Sequence, residues 1–442
     1  MKFSCTLALG LGLAVLPIAA EAVKDREGAV RKDRDVMQQD ARWVYNDVPR
    51  GFAEAKRTGK PLLVVLRCVP CLACMGIDGS VLTEPSLSPL LDQYVCVRLI
   101  NANAIDLAQF QFDYDLSFST LIFNGDGTVY GRFGSWLHQR NPHSSDTASF
   151  RSALTAALDI HRGYPANKAS LAGKQGVTMP FKTPVEIPQL AGKYQRELQW
   201  EGQVAGSCVH CHMVGAAMRS WYREQRKPMP EQWLFPMPPP EVVGLEMDRD
   251  ASAKVRSVVG GSHAQRAGLK AGDEIVSCAG QPLISVADMA WALHQTPSSS
   301  AASLSLVVKR AGKEETATLE LPAGWKERTD TSKRVAAWTM RGMVTGGLVL
   351  TDMDGAARIK RGFTQSQMAL VVKSVGQYGK HAAGKRAGFQ AEDVIVELDG
   401  KTERRSESQT FGSLLRTRMP GENVKAVILR GQERLELVLP MQ

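Results

Sequence analysis

Past its first twenty residues the chain has no apolar run approaching bilayer length, roughly 20 residues, which excludes a polytopic membrane protein. It has no G-x-S-x-G elbow and no plausible His/Asp/Ser set, so it is not itself a protease. It also lacks a second Cys/His pair at zinc-finger spacing. Lys and Arg (54) outnumber Asp and Glu (45), for a formal charge of +9, yet no clustered basic run or nucleic-acid recognition motif accompanies the excess. From Ala323 onward 20 basic residues face 13 acidic ones, so this part alone supplies +7. Spread among acids, such a bias suits an anionic surface and does not mark a nucleic-acid partner. Cysteine is scarce, eight in 442 residues, but the eight are grouped. What is present otherwise is ordinary for folded protein: 44% apolar, 22% charged, and length for about three average domains.

Lys2 precedes an uncharged run from Phe3 to Ala20, with Leu7–Leu16 as its apolar centre and Ala20-Glu21-Ala22 as a small-residue cleavage pattern. This is the layout of a secretory signal peptide over residues 1–22, and it places the mature chain in the periplasm or another extracytoplasmic compartment. Left uncleaved, the same run would be a membrane anchor. In an oxidising compartment the remaining thiols, Cys68, Cys71, Cys74, Cys96, Cys208, Cys211 and Cys278, meet disulfide or cofactor chemistry.

Residues 41–165 read as alternating strands and helices. A short helix around Phe52–Lys56 ends at Gly59, and the apolar run Leu62–Leu66 has the length of a buried central strand. That run leads into Cys68-Val-Pro-Cys71-Leu-Ala-Cys74. Tyr94–Ile100 reads as the next strand, Leu121–Arg132 as a hairpin turning at Asn124–Gly127, and Ser149–His161 as a closing helix. Trp43, Gly59-Lys60-Pro61, the apolar strand and the C-x-x-C ten residues after Pro61 resemble the thioredoxin-like superfamily. The resemblance implies Cys71 as nucleophile and Cys74 as resolving thiol, because a helix N-terminus stabilises a thiolate there. Cys68 is a possible third thiol. Pro70 stands where the family usually has Trp, and Ser119 where it carries a cis-proline facing the disulfide. The alternative to a redox centre is a structural disulfide on a retired thioredoxin fold. Cys96 and Cys278, each inside an apolar strand, read as core thiols.

Residues 166–240 open with prolines at 180, 184 and 188, an irregular, linker-like approach. Cys208-Val-His-Cys211-His212 then has the spacing of covalent c-type haem attachment: two thiols for the vinyl groups and a histidine for the iron. Val209–Arg226 reads as the helix carrying it. Met237, flanked by prolines, resembles the axial methionine of small cytochromes c, although it lies only 25 residues beyond His212. A local disulfide or half of a metal site is the alternative reading.

A shift of 120 residues superposes Arg266-Ala-Gly-Leu…Asp273-Glu-Ile-Val on Arg386-Ala-Gly-Phe…Asp393-Val-Ile-Val, Gly280 on Gly400 and Arg310 on Arg430. Two copies make tandem domains, at 241–322 and 343–442, with 323–342 as a polar linker holding Trp325 and Trp338. Each copy resembles a PDZ domain of the bacterial, circularly permuted kind. The resemblance implies that protein or peptide C-termini bind beside a groove helix, with a glycine-containing loop holding the carboxylate. In the first copy the loop is Val243-Gly244-Leu245-Glu246 and the helix Val286–His294. In the second they are Gly346-Gly347-Leu348-Val349 and Gln409–Arg416.

The expected architecture is therefore multidomain α/β plus β-rich: a thioredoxin-like domain, a small haem-type segment and two tandem PDZ-like domains. That order resembles an exported bacterial family of thioredoxin-like/PDZ proteins, some of which carry selenocysteine in the redox motif. It implies an extracytoplasmic thiol–disulfide or electron-transfer protein with a thiol redox partner and PDZ-bound peptides. The second reading is a non-enzymatic PDZ scaffold on a degenerate thioredoxin fold.

Overall fold

The computed structural model describes residues 25–67, 69, 81–116, 118–134, 147–248, 251 and 253–442. Cys68, Cys71, Cys74 and the signal peptide expected at 1–22 lie outside the described residues.

Helix α1 (Arg26–Met37) starts at Asp25, whose carboxylate caps the Gly28 amide. It is tied down by a buried ion pair between Asp33 and Arg98, with the Tyr45 hydroxyl donating to Asp33 at 2.9 Å. Helix α2 (Val48–Thr58) is capped by Asp47 and stopped by Gly59 in the left-handed region at φ 70°, where a side chain is disfavoured. Strands β1 (Trp43–Tyr45), β2 (Leu62–Arg67), β3 (Val95–Leu99), β4 (Phe118–Phe123) and β5 (Val129–Phe133) form one sheet in the order β1-β3-β2-β4-β5. The first three run parallel, β4 runs antiparallel to β2, and β5 runs antiparallel to β4. Every residue of β2 is buried, as its unbroken apolar run requires. Alternate side chains part to two faces: Leu63, Val65 and Ile122 meet Phe150 and Leu154 of helix α3 (Thr147–Arg162). Leu62, Val64, Leu66, Val97 and Leu121 face the other way.

That second face is covered by the segment expected to be linker-like. Ile187, Leu190, Val209, Val214 and Met218 share its core. The buried Asn103 side chain fastens the segment by donating to the carbonyls of Gln195 (2.7 Å) and Ser207 (2.8 Å) and accepting from the Val209 amide (2.7 Å). Prolines make the backbone irregular without making it loose. Helix α4 (Cys211–Glu224) then runs into the C-terminal domain, where Arg223 donates to the Gln442 and Arg418 carbonyls.

The next unit pairs β6 (Leu245–Met247) with β7 (Val255–Val258) and builds a sheet β11-β10-β8-β9 from β8 (Glu274–Cys278), β9 (Gln281–Pro282), β10 (Ala302–Arg310) and β11 (Lys313–Leu321). Helix α5 (Val286–Gln295) lies on it. The last unit holds β12 (Leu348–Asp352), β13 (Leu370–Val375), β14 (Val394–Leu398), β15 (Asn423–Arg430) and β16 (Glu433–Pro440) in one sheet, with helix α6 (Glu407–Thr417). The repeat is structural as well as sequential. Arg310 Nε donates to Asp273 (2.8 Å) and its Nη2 to the Gly268 carbonyl (2.9 Å); Arg430 does the same to Asp393 (2.8 Å) and Gly388 (2.8 Å). Asp273 and Asp393 each also accept a turn amide, from Lys270 and Gln390. Where the first copy has Gly272 at φ 90°, the second holds Glu392 at φ 68° and makes the same amide bond back to the preceding strand, at 2.8 Å in both.

Residues 323–342, expected as a linker, are packed. Trp325 is buried and donates to the Pro297 carbonyl, and Arg334 sits in a buried ion pair with Asp113 beside Asp115. Trp338 is the exception to the anchoring expected of it: it is exposed and stacks on His381 at 3.9 Å. Among the described residues no helix is long and apolar enough to cross a membrane.

Candidate functional site: a cleft between the sheet and the first groove

The register β2–β4 sets Leu66 opposite Ser119 and Arg67 opposite Phe118, so Ser119 faces the last turn of the strand that leads into Cys68. Ser119 is buried in ordinary strand backbone; among the described residues the cis peptide is Tyr164–Pro165. Cys96, as expected, is fully buried in β3, and burial pushes its thiol up to about 12.

Cys208 and Cys211 stand beside the same strand end. With Leu66, Arg67, Val69 and His210 they line a cavity of 20 Å³. Among the described residues both thiols are free, both are half-buried, and the Cys208 Sγ lies 3.5 Å from the Val204 carbonyl. Burial raises Cys208 to about 11 and Cys211 to about 12, and lowers His210 to about 4. His212 is exposed, its ring stacked with that of His210 at 5.7 Å. A porphyrin needs a site of several hundred Å³. The cavity that the described residues leave at the two thiols is far smaller than that, and among the described residues no cluster of three or more His, Cys, Asp or Glu could hold a metal ion. Met237, expected as the second axial ligand, is not brought to His212. It is buried against Ala290 and Trp291 of the first groove helix, with its amide donating to His294 Nδ1. The proline-flanked backbone that suggested a haem ligand serves as a wall of another cavity. The raised Cys208 thiol predicts a thiolate fraction about 100-fold below that of a free cysteine at pH 8. Iodoacetamide labelling followed by mass spectrometry should therefore be slow in the native chain, quicken towards pH 11, and be fast at pH 8 in urea. Equal native and denatured rates would contradict the burial.

The two expected peptide loops differ. In the first, Gly244 takes φ 88° and an added Cβ would meet Ser262 at 2.1 Å. Its amide donates to the Glu241 carbonyl (3.0 Å), Val243 and Leu245 are buried, and the Glu246 carboxylate accepts from Ser257 (2.5 Å) and Arg256 (3.2 Å). Among the described residues β6 pairs with β7 alone, so one of its edges is open for strand addition. In the second, the Gly347 amide is taken by the Arg341 carbonyl and the Gly346 carbonyl by Gly384. The Leu350 amide on the β12 edge donates to Glu407 at the start of α6 (2.8 Å), and Arg341 holds Glu407 by two bonds of 2.9 and 2.5 Å. Gly346, Gly347, Leu348 and Val349 thus belong to a groove already crossed by its own helix.

The first groove helix is joined to the sheet of the N-terminal unit. Asp288 accepts from the Arg132 amide (3.0 Å) on β5 and from the Ile284 amide (3.0 Å), and pairs with Lys174 at 2.6 Å. Both charged side chains are buried. Ser285 donates to the Arg132 carbonyl, and Ile284 lies in the same core as Phe133 and Phe150. A Cβ at Gly131 would sit 2.4 Å from Ile284, so glycine is what lets strand and helix approach. Above this seam opens a cavity of 280 Å³, walled by Phe112, Leu116 and Ser119 on one side and Val286, Ala287 and Ala290 on the other. Sequence reasoning missed Asp288, Lys174 and Arg132. The available signals were an Asp in the apolar helix run Val-Ala-Asp-Met-Ala-Trp-Ala-Leu and an Arg inside a buried strand.

Comparison with known proteins places a thioredoxin-like family model on residues 43–125 and a PDZ-domain model on residues 242–321. No curated protein matches the chain. Solved structures with similarity include the HtrA-type protease AlgW with a decapeptide, at 19% identity and a TM-score of 0.20, covering 30% of this chain and 38% of that one. A variant of AlgW with a decapeptide follows at 14% identity and 0.22, covering 42% and 53%. The variant with a tripeptide stands at 17% and 0.20, covering 30% and 41%. This chain therefore spans between about a third and a half of their length. The unit that carries β1–β5 is a thioredoxin-like domain, and the unit that carries α5 is a PDZ domain.

Proposed function

We propose that the protein is an extracytoplasmic thiol–disulfide exchange protein that recruits protein or peptide C-termini through its first PDZ groove. The observation that carries this reading is the seam itself: α5, the groove helix, is bonded to β5 of the thioredoxin-like sheet through Asp288 and Ser285. A chain held in the groove is thereby held beside the sheet from which Cys71 and Cys74 follow in sequence. The Cys71 thiolate would attack a partner disulfide and expel one partner thiolate. Cys74 would then attack the mixed disulfide, releasing the second thiolate and leaving Cys71–Cys74 oxidised. Two protons from the thiols end on the partner. The second copy, its groove spanned by Glu407, serves as packing for α4. The export signal at 1–22 supports the compartment such chemistry needs.

Two other readings have specific support. Ser119 in the proline position favours a peptide-binding scaffold in which the cysteines only staple the fold. The C-x-x-C-H spacing and exposed His212 favour covalent haem, and the 20 Å³ cavity at the thiols weighs against it. A Soret band surviving denaturation, in protein matured with haem machinery, decides that point. Alkylation after mild reduction tests the main reading: Cys71 and Cys74 should pass from blocked to labelled. If neither cysteine changes state, the exchange role fails.

A further inference from the structure

We infer that the 280 Å³ cavity between β4, the start of α5 and the connector seats the last residue of the bound chain, its apolar side chain against both domains and its carboxylate on Arg132. The inference rests on the peptide-binding reading of the first groove and names where that peptide ends. Three observations carry it.

The walls are apolar and come from two domains, Phe112 and Leu116 facing Val286, Ala287 and Ala290. Two buried cations join them: Arg334, paired with Asp113, and the fully buried Arg132. Arg132 donates through Nε to the Gln111 carbonyl (2.6 Å) and through Nη2 to the Lys174 carbonyl (2.9 Å), and lies over the Trp291 ring at 3.6 Å. Its Nη1 is buried and has no hydrogen-bond partner among the described residues. A buried guanidinium N–H without an acceptor costs about 1–3 kcal/mol, which an incoming carboxylate removes. Of the anions lining the cavity, Asp113 is held by Arg334 and exposed Asp330 pairs with Lys333 at 3.9 Å, while Glu241 and exposed Arg328 complete the charged lining. Cations therefore outnumber anions around the site. Finally, the loop that would ordinarily hold the carboxylate is short of a donor, because the Gly244 amide is spent on the Glu241 carbonyl.

The test is calorimetric binding of one short peptide ending in leucine, as free acid and as amide, to the full mature chain. The native protein should bind the acid at least about tenfold tighter, the size of one charged hydrogen bond. In Arg132→Met the acid should weaken to the level of the amide. Leu116→Trp, which fills the wall on the thioredoxin-like side while leaving Arg132 in place, should abolish binding of both and covers the case in which Arg132→Met fails to fold. An acid preference that survives Arg132→Met in folded protein, or native affinity in Leu116→Trp, overturns the inference while leaving a PDZ groove that binds elsewhere. Native protein that binds neither peptide overturns it together with the recruitment reading, and the alkylation state of Cys71 and Cys74 still reports separately on exchange.

Discussion

Asp288→Ala should destabilise the chain by about 3–5 kcal/mol, the cost of leaving one member of a buried ion pair uncompensated. The carboxylate holds Lys174 Nζ at 2.6 Å and also caps the Arg132 and Ile284 amides, so its removal orphans three donors at one seam. Both side chains of the pair are at most 2% exposed, which leaves water no route to replace the lost acceptor. Lys174→Met in the Asp288→Ala background should restore much of the loss, because an apolar chain of similar length leaves no charge behind. Denaturant titration of the two variants and native protein checks this. A loss below about 1 kcal/mol in Asp288→Ala, or a double variant no better than the single, would show that the seam is wet and the two domains are not locked. The consequence for function is direct, since the seam fixes groove to sheet.

Gly347→Ala should cost about 2–5 kcal/mol, combining backbone overpacking with the left-handed penalty. At φ 83° the residue is in the region glycine alone adopts freely, and a Cβ there would meet the His381 carbonyl at 2.1 Å and its Cα at 2.6 Å. These neighbours are backbone and cannot rotate aside. The sequence reads Gly346-Gly347 as a carboxylate loop; the structure gives the glycines a packing reason instead. Thermal denaturation should show a fall of several degrees with no change in affinity for a peptide of the first groove. If Gly347→Ala keeps native stability but loses peptide affinity, the second loop binds ligand after all.

The parts of this protein legible in its sequence are those set by short-range periodicity and turn chemistry. Leu62–Leu66, Tyr94–Ile100 and Ser149–His161 all fall within two residues of the observed strand or helix ends. The repeat was visible because Gly268 and Asp273 with Arg310 must recur together to make one clamp. What was hidden depends on partners distant in the chain. Asn103 fastens a segment about 100 residues away, and Arg334 reaches Asp113 across 221 positions. Prolines at 180, 184 and 188 signal irregular backbone, which reads as a linker, whereas here it is a layer of the core. Flanking prolines single out Met237, but they fix backbone shape and not direction. The groove helix was legible as a helix; that Asp288 turns it towards another domain is a fact of tertiary packing.

The account stands on groove and redox motif acting on one bound chain. The direct measurement is release of a chromogenic thiol, disulfide-linked to a peptide that ends in leucine, as free acid and as amide. The account predicts single-turnover release by the reduced native protein, loss of release in Cys71→Ser, and a half-saturating peptide concentration at least about tenfold higher for the amide with the same maximal rate. Equal half-saturating concentrations for the two peptides, or release that survives Cys71→Ser, would contradict it.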